Sequence, residues 1–120
     1  MNSVVYERGV IRTRDKKIGK NEEIKNYCLG LSSEVGEFNG HMKHVLYHGW
    51  ELDKENVVEE LGDVMWYLTA LANVMGISLD NLMRENLKKL KTRYPNGFNH
   101  QDSINRIENK IKGEQDEKEI

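Results

Sequence analysis

Two short acidic signatures carry the residue types best suited to chemistry. They are Glu34-Val35-Gly36-Glu37 and Glu60-Leu61-Gly62-Asp63, each a carboxylate pair spaced i, i+3. On a helix, about 100° per residue sets the members of a pair roughly 60° apart and about 4.5 Å along the axis, so each pair can grip one object. Their place relative to the apolar residues says more. With Glu34 at zero on a helical wheel, Tyr27, Leu31, Phe38, Met42 and Val45 fall at roughly +20° to +80°, with Glu37 near −60°. With Glu60 at zero, Val57, Val64, Leu68, Leu71 and Met75 occupy the same arc, and Asp63 again falls near −60°. Packed on those arcs, the two helices bring four carboxylates into one partly buried cleft. At about 4 Å and an effective dielectric near 20, each like-charge contact costs about 4 kcal/mol, so the cluster needs protons or cations. A hard divalent cation such as Mg²⁺ answers that need, because it takes oxygen ligands and commonly bridges to substrate phosphates.

The elements that must position these residues are legible from their ends. A first long helix is expected over 22–47, with Asn21 as N-cap, Glu22 and Glu23 in its first turn and Gly49 as its stop. Asp53 is the N-cap of a second helix that runs to about residue 75 and closes at Gly76. Ser78 caps a third, which continues to about residue 93 before Pro95 forbids more. Short connections between long amphipathic helices predict antiparallel neighbours in an all-α helical bundle. The third helix holds a further candidate set. With Asn86 at zero, Leu79, Leu82, Met83 and Leu90 lie between about −40° and +60°, so the amide sits inside an apolar stripe, with Arg93 and Lys89 near −20° and −60°. A buried amide needs partners, and cations beside a carboxylate cluster either neutralise it or hold phosphate oxygens.

The chain divides into an arm over 1–20, in which Val4, Val5, Tyr6, Val10 and Ile11 suggest a short docking segment while most of the rest is expected to be solvated, a helical domain over 21–98, and a short helix with a polar tail over 99–120. Ile104, Ile107 and Ile111 form the stripe of that last helix. At 120 residues and a net charge of −2, the sequence predicts one domain with no electrostatic footprint for a nucleic-acid duplex. No apolar run spans a bilayer and the first 20 residues lack a signal-peptide core, so a soluble cytoplasmic protein is expected. The single cysteine, Cys28, falls near +120° on the first wheel and reads as a small core filler. Trp66, near −120° on the second wheel, points away from the cleft and reads as a subunit contact. Glu59 reads as solvated, His41 as a core or supporting histidine, and Trp50 or Tyr27 as a ring available to a base, Tyr27 being the more ordinary core residue.

The two pairs, separated by the 22 residues from Phe38 to Glu59, resemble the E-x-x-E…E-x-x-D signature of the MazG-like nucleoside triphosphate pyrophosphohydrolases. The surroundings agree over roughly 21–98. They include Leu29-Gly30-Leu31-Ser32-Ser33 before the first pair, Val64-Met65-Trp66-Tyr67-Leu68 after the second, Asn86-Leu87-Lys88-Lys89-Leu90, and Arg93-Tyr94-Pro95. The resemblance implies an all-α domain completed by oligomerisation, as a dimer or tetramer. It also implies Mg²⁺-dependent attack of water between the α- and β-phosphates of a nucleoside triphosphate, with Mn²⁺ as a substitute cation. Glu34, Glu37, Glu60 and Asp63 take the metal-ligand and catalytic roles, and Asn86, Lys89 and Arg93 the phosphate contacts. The base is not named by any residue, and dUTP, dCTP or phosphoribosyl-ATP are alternative substrates within the same chemistry. A non-catalytic metal- or nucleotide-binding bundle is the alternative from another class. Di-iron chemistry is disfavoured because no histidine has a Glu three residues before it: those positions hold Phe38, His41, Val45 and Gly97.

Overall fold

The computed structural model describes residues 1–106, and the chain is helical almost throughout. Among the described residues, α1 (Ser3–Thr13), α2 (Lys20–Tyr47), α3 (Lys54–Val74) and α4 (Leu79–Arg93) follow one another, with a 3₁₀ turn at Lys16–Ile18 between the first two and a further helical segment over 100–106. By compactness the chain forms two units, Met1–Leu82 and Met83–Ile120. No helix among the described residues is long and apolar enough to cross a membrane.

In the first unit, α2 and α3 form the main packed pair, and α1 lies against α3. Local chemistry fixes the helix ends largely where the sequence indicates. The Asp53 carboxylate accepts from the Asn56 N–H at 3.2 Å to start α3, and the Ser78 hydroxyl accepts from the Asn81 N–H at 3.1 Å to start α4. Gly49 and Gly76 stand with positive φ just beyond α2 and α3. The expected N-cap Asn21 is corrected: α2 begins two residues earlier, after Gly19, with no side-chain cap.

The first 20 residues dock through the apolar segment that holds Tyr6 and Val10 and are helical over most of it, so they are more than a solvated arm, although most of them remain exposed. Asn2 caps α1 by accepting from the Val5 N–H, and Val10 is buried in a core cluster with Tyr27 and Ala70, joined by Tyr6, Trp66, Tyr67, Leu71 and Val74. Arg14, just past α1, donates from Nε and Nη2 to the two carboxylate oxygens of Glu23, both at 2.9 Å, and from Nη1 to Asn73 Oδ1. Tyr27 donates its hydroxyl to the same Glu23 at 2.7 Å. The Arg14 hydrogen bond holds the Glu23 carboxyl below its ordinary range against the opposing effect of burial. One cation thus ties the end of α1 to both α2 and α3.

Trp66 is also corrected. Its indole is half-buried against the core, edge-on to Tyr27 at 5.5 Å and to Tyr67 at 5.0 Å between ring centres, and it lines the same cleft as Glu34 and Asp63 instead of pointing away from it. Cys28 is exposed, because its side of α2 is not covered by the described residues. Asn86 is exposed too, since Met83 and Leu90 of the stripe around it are themselves exposed.

One close approach inside the hairpin makes a direct prediction. A methyl group on Gly30 of α2 would overlap the Tyr67 ring of α3, whereas one on Gly40 would meet nothing within 4 Å. Gly40→Ala is expected to stabilise the fold by about 0.5–1 kcal/mol through helix propensity. Gly30→Ala forces a packed aromatic aside and is expected to cost about 1–3 kcal/mol despite the same propensity gain. Urea unfolding of the two variants checks the opposite signs.

The second unit contains most of α4 and the segment after it. Tyr94 N–H closes onto Leu90 O at 2.8 Å, and the chain then turns at Gly97. Asn99 caps a helical segment over 100–106 by accepting from the Asp102 N–H at 2.8 Å. Ile104 belongs to that segment, whereas Ile107, Ile111 and the polar tail lie outside the described residues.

Candidate metal centre

The carboxylates sit on the α2–α3 hairpin, Glu34 and Glu37 on one helix and Glu60 and Asp63 on the other. Glu34, Glu37 and Glu60 each offer one carboxylate oxygen, and these oxygens lie within 4.8 Å of one another. Asp63 stands at the rim: it is exposed, outside that triad, and lines a cleft of about 350 Å³ together with Glu34, Trp66 and Tyr67. The structure therefore gathers three of the four expected ligands within reach of one cation and places the fourth on the same cleft as Glu34.

The electrostatics of the cluster are unfavourable without a counter-charge. Oε2 of Glu34 and Oε2 of Glu60 are buried and have no hydrogen-bond partner among the described residues. Burial, the adjoining Glu60 carboxyl and the charges of Glu37 and Asp63 push Glu34 up to about 7. Burial, with Glu37 and Asp63 adding to it, raises Glu60 as well, while Glu34 pulls it the other way. Burial and the Asp63 charge also raise the Tyr6 phenol, which brings α1 within electrostatic reach of the rim.

Glu59 is exposed, as expected for a solvated neighbour of the pair. A second concavity of about 460 Å³, lined by His41, Trp50, Glu51, Asp53 and Asn56, opens beside the loop joining the helices. His41 follows Glu37 by one turn and Asn56 precedes Glu60 by one turn, so this concavity lies about 6 Å along both helices from the carboxylates. His41 Nε2 accepts from the Asp53 N–H at 3.4 Å and so braces the start of α3. Trp50 stacks on His44 with ring centres 4.1 Å apart and planes 13° from parallel, which occupies one of its faces.

Lys89 and Arg93 are brought together: they share a concave face of the second unit with Glu85, Lys88 and Thr92. Asn86 is not among the residues lining it.

Sequence reasoning missed Trp66 and Tyr67 as cleft walls. The signal was present, since they follow Asp63 by three and four residues and so share its helix face. Also missed was an exposed apolar stripe on α3, made of Val58, Leu61 and Met65 and continued at i+10 by Leu68, which the wheel assigns to the inward arc.

An all-α hairpin that crowds carboxylates against one another defines the class: a helical protein with an acidic centre that could hold a metal ion. The chain belongs to the MazG nucleotide pyrophosphohydrolase family, whose domain matches residues 22–98. The match spans α2, α3, α4 and the turn that follows, and leaves α1 outside. The chain is also similar to the Gene 37 protein of Mycobacterium phage L5, 34% identical over 85 residues, which cover 63% of this chain and 70% of the phage protein. No solved structure matches the chain.

Proposed function

We propose that the protein is a Mg²⁺-dependent nucleoside triphosphate pyrophosphohydrolase that converts a (d)NTP to its monophosphate and pyrophosphate. The observation that carries this reading is the pair of buried, unpartnered oxygens on Glu34 and Glu60 within ligand reach of Glu37. Buried acceptors of that kind are costly unless a proton or a cation meets them. An all-oxygen, anionic donor set fits a hard divalent cation and not a thiolate- or imidazole-seeking one. Glu34, Glu37, Glu60 and Asp63 would hold Mg²⁺, with Mn²⁺ able to replace it.

When bound, the cation supplies polarisation of phosphoryl oxygens and a more acidic water. The chain supplies the rest. Two packed helices fix the carboxylates in advance, so little reorganisation is needed when charge develops. Trp66 and Tyr67 wall the cleft against bulk water. Lys89 and Arg93, with the Asn86 amide, take the role of phosphate contacts, supported by the charge that they bring to one concave face. The concavity of His41, Trp50 and Asn56, one turn along the hairpin, offers room for the sugar and base.

The same reading includes a homo-oligomer, and the support for it moves from Trp66 to the exposed stripe on α3, where Val58 is 72% exposed. A row of four apolar side chains on one helix face needs a cover. Light scattering is expected to give a mass at least twice that of the chain, and a monomer at micromolar concentration would remove this part of the reading.

The deciding experiment measures pyrophosphate release from ribo- and deoxyribonucleoside triphosphates with Mg²⁺, beside a chelator control. Release of monophosphate and pyrophosphate that the chelator abolishes supports the proposal. Silence across the panel with Mg²⁺ still bound leaves a metal-binding module without turnover.

A further inference from the structure

Helix α1 lies outside the family domain, yet its last turn reaches the wall of the carboxylate cleft. The Trp66 indole, which lines that cleft with Glu34, Asp63 and Tyr67, donates its N–H to Thr13 Oγ1 at 2.7 Å. Thr13 is a well-directed acceptor. Its hydroxyl proton is directed to the carbonyls of Gly9 and Val10, both at 3.0 Å, which leaves a lone pair for the indole. The next residue, Arg14, fastens this end of α1 to Glu23 of α2 and Asn73 of α3. Glu23 in turn receives the hydroxyl of Tyr27, whose ring abuts Trp66. The chain of contacts therefore closes on itself: helix end, ion pair, phenol, indole, helix end.

We infer that Thr13, anchored by Arg14, is a positioning residue for the carboxylate cleft: its hydroxyl holds the Trp66 indole in place as the cleft's wall, so that a helix outside the family domain takes part in recognising what the cleft binds. An indole has two side-chain torsions, and the ring packing with Tyr27 and Tyr67 fixes its plane less tightly than a directed hydrogen bond fixes its edge. Freed of Thr13, the ring shifts over Glu34 and Asp63 and alters the space next to them. The inference rests on the nucleotide reading above only for the identity of the ligand.

The test compares Thr13→Val, Thr13→Ser and Trp66→Phe in the full chain. Valine keeps the shape and removes the acceptor, serine restores it, and phenylalanine keeps an aromatic wall while removing the donor. In ¹⁵N spectra the two indole N–H signals are assigned through the absence of one in Trp66→Phe. Thr13→Val is expected to speed hydrogen exchange of the Trp66 indole at least about tenfold, as for a lost directed bond. With the best nucleotide, and well below the melting temperature, it is expected to lower kcat/KM about tenfold, a modest fraction of what misplacement by 1 Å can cost. Its Mg²⁺ affinity, read by calorimetry, is expected to stay within about twofold, because no carboxylate has moved. Thr13→Ser is expected to restore both indole protection and turnover. Loss of indole protection with unchanged kcat/KM would reduce the contact to packing and overturn the inference, as would an indole signal that Thr13→Val leaves protected. If the wild type turns over no nucleotide, the functional reading fails by itself. The inference is then decided by Mg²⁺ alone: the wild-type Trp66 signal must move on titration and Thr13→Val must change that response, and an unmoved signal overturns it.

Discussion

Glu60→Gln is expected to lower pyrophosphate release at saturating Mg²⁺ by at least about a hundredfold, and Glu37→Gln to do the same, while Glu59→Gln stays within about twofold of wild type. The contrast follows from burial and position. Glu60 and Glu37 place oxygens in the triad, whereas Glu59 is one residue away and exposed. An inactive variant that has merely unfolded proves little, but Glu60→Gln should do the opposite. The buried Glu34 Oε2 has no hydrogen-bond partner among the described residues, and a glutamine amide beside it brings a donor and removes a like charge. Glu60→Gln is therefore expected to melt at a higher temperature than wild type in chelator while losing turnover, the usual opposition between stability and a functional site. Comparable activity of Glu37→Gln and Glu59→Gln would place the chemistry on another face of the hairpin.

The second large effect is on the pH dependence of the metal-free protein. Glu34 titrates at about 7 in the folded chain, well above the ordinary range of a glutamate in an unfolded one. The folded state therefore holds a proton over an interval in which the unfolded state has released it. Stability then falls with rising pH. This contribution is complete below the unfolded value near 4.5 and is lost as pH rises through about 7. In chelator the melting temperature is expected to drop across that window, and Glu34→Gln, which has no proton to lose there, is expected to flatten the profile. Added Mg²⁺ acts against the drop, because a bound cation stabilises the form that binds it. Proton competition gives the companion result: Mg²⁺ affinity weakens as pH falls below 7, approaching about tenfold per unit while one proton must leave. Calorimetry at two pH values reads this directly. A melting temperature that is independent of chelator and of pH between 5 and 7.5 would mean that the carboxylates do not crowd one another.

Those carboxylates were legible in the sequence for a physical reason. Position on a helix depends only on spacing, and the apolar residues from Tyr27 to Val45 and from Val57 to Met75 show which side faces inward. Helix ends at Asp53, Gly76 and Ser78 were legible because capping is local, confined to three or four residues. What was not legible is non-local. Arg14 meets Glu23 and Asn73, nine and 59 residues away, and no pattern in residues 1–20 announces that a cation there will be buried. The same contacts convert a weakly patterned segment into α1. Trp66 was misjudged because α3 is apolar on more than one side: Val64 and Leu71 mark the arc that faces inward, Val58 and Met65 one that stays exposed. Periodicity alone does not say which of two stripes a single chain covers. Cys28 failed for a similar reason, lying on an arc of α2 that none of the described residues covers.

All four carboxylates project from two helices joined by only the few residues between Tyr47 and Lys54. In the vocabulary of divergence, this hairpin has one rigid count and one elastic count. One residue inserted between Glu34 and Glu37, or between Glu60 and Asp63, rotates one carboxylate of the pair by about 100° away from the other. Residues added at 48–52 change neither helix's register, and doubling such a loop costs only about 0.6 kcal/mol. Among descendants of this sequence, the distance between the two acidic pairs is free to drift, whereas the two-residue interval inside each pair is not.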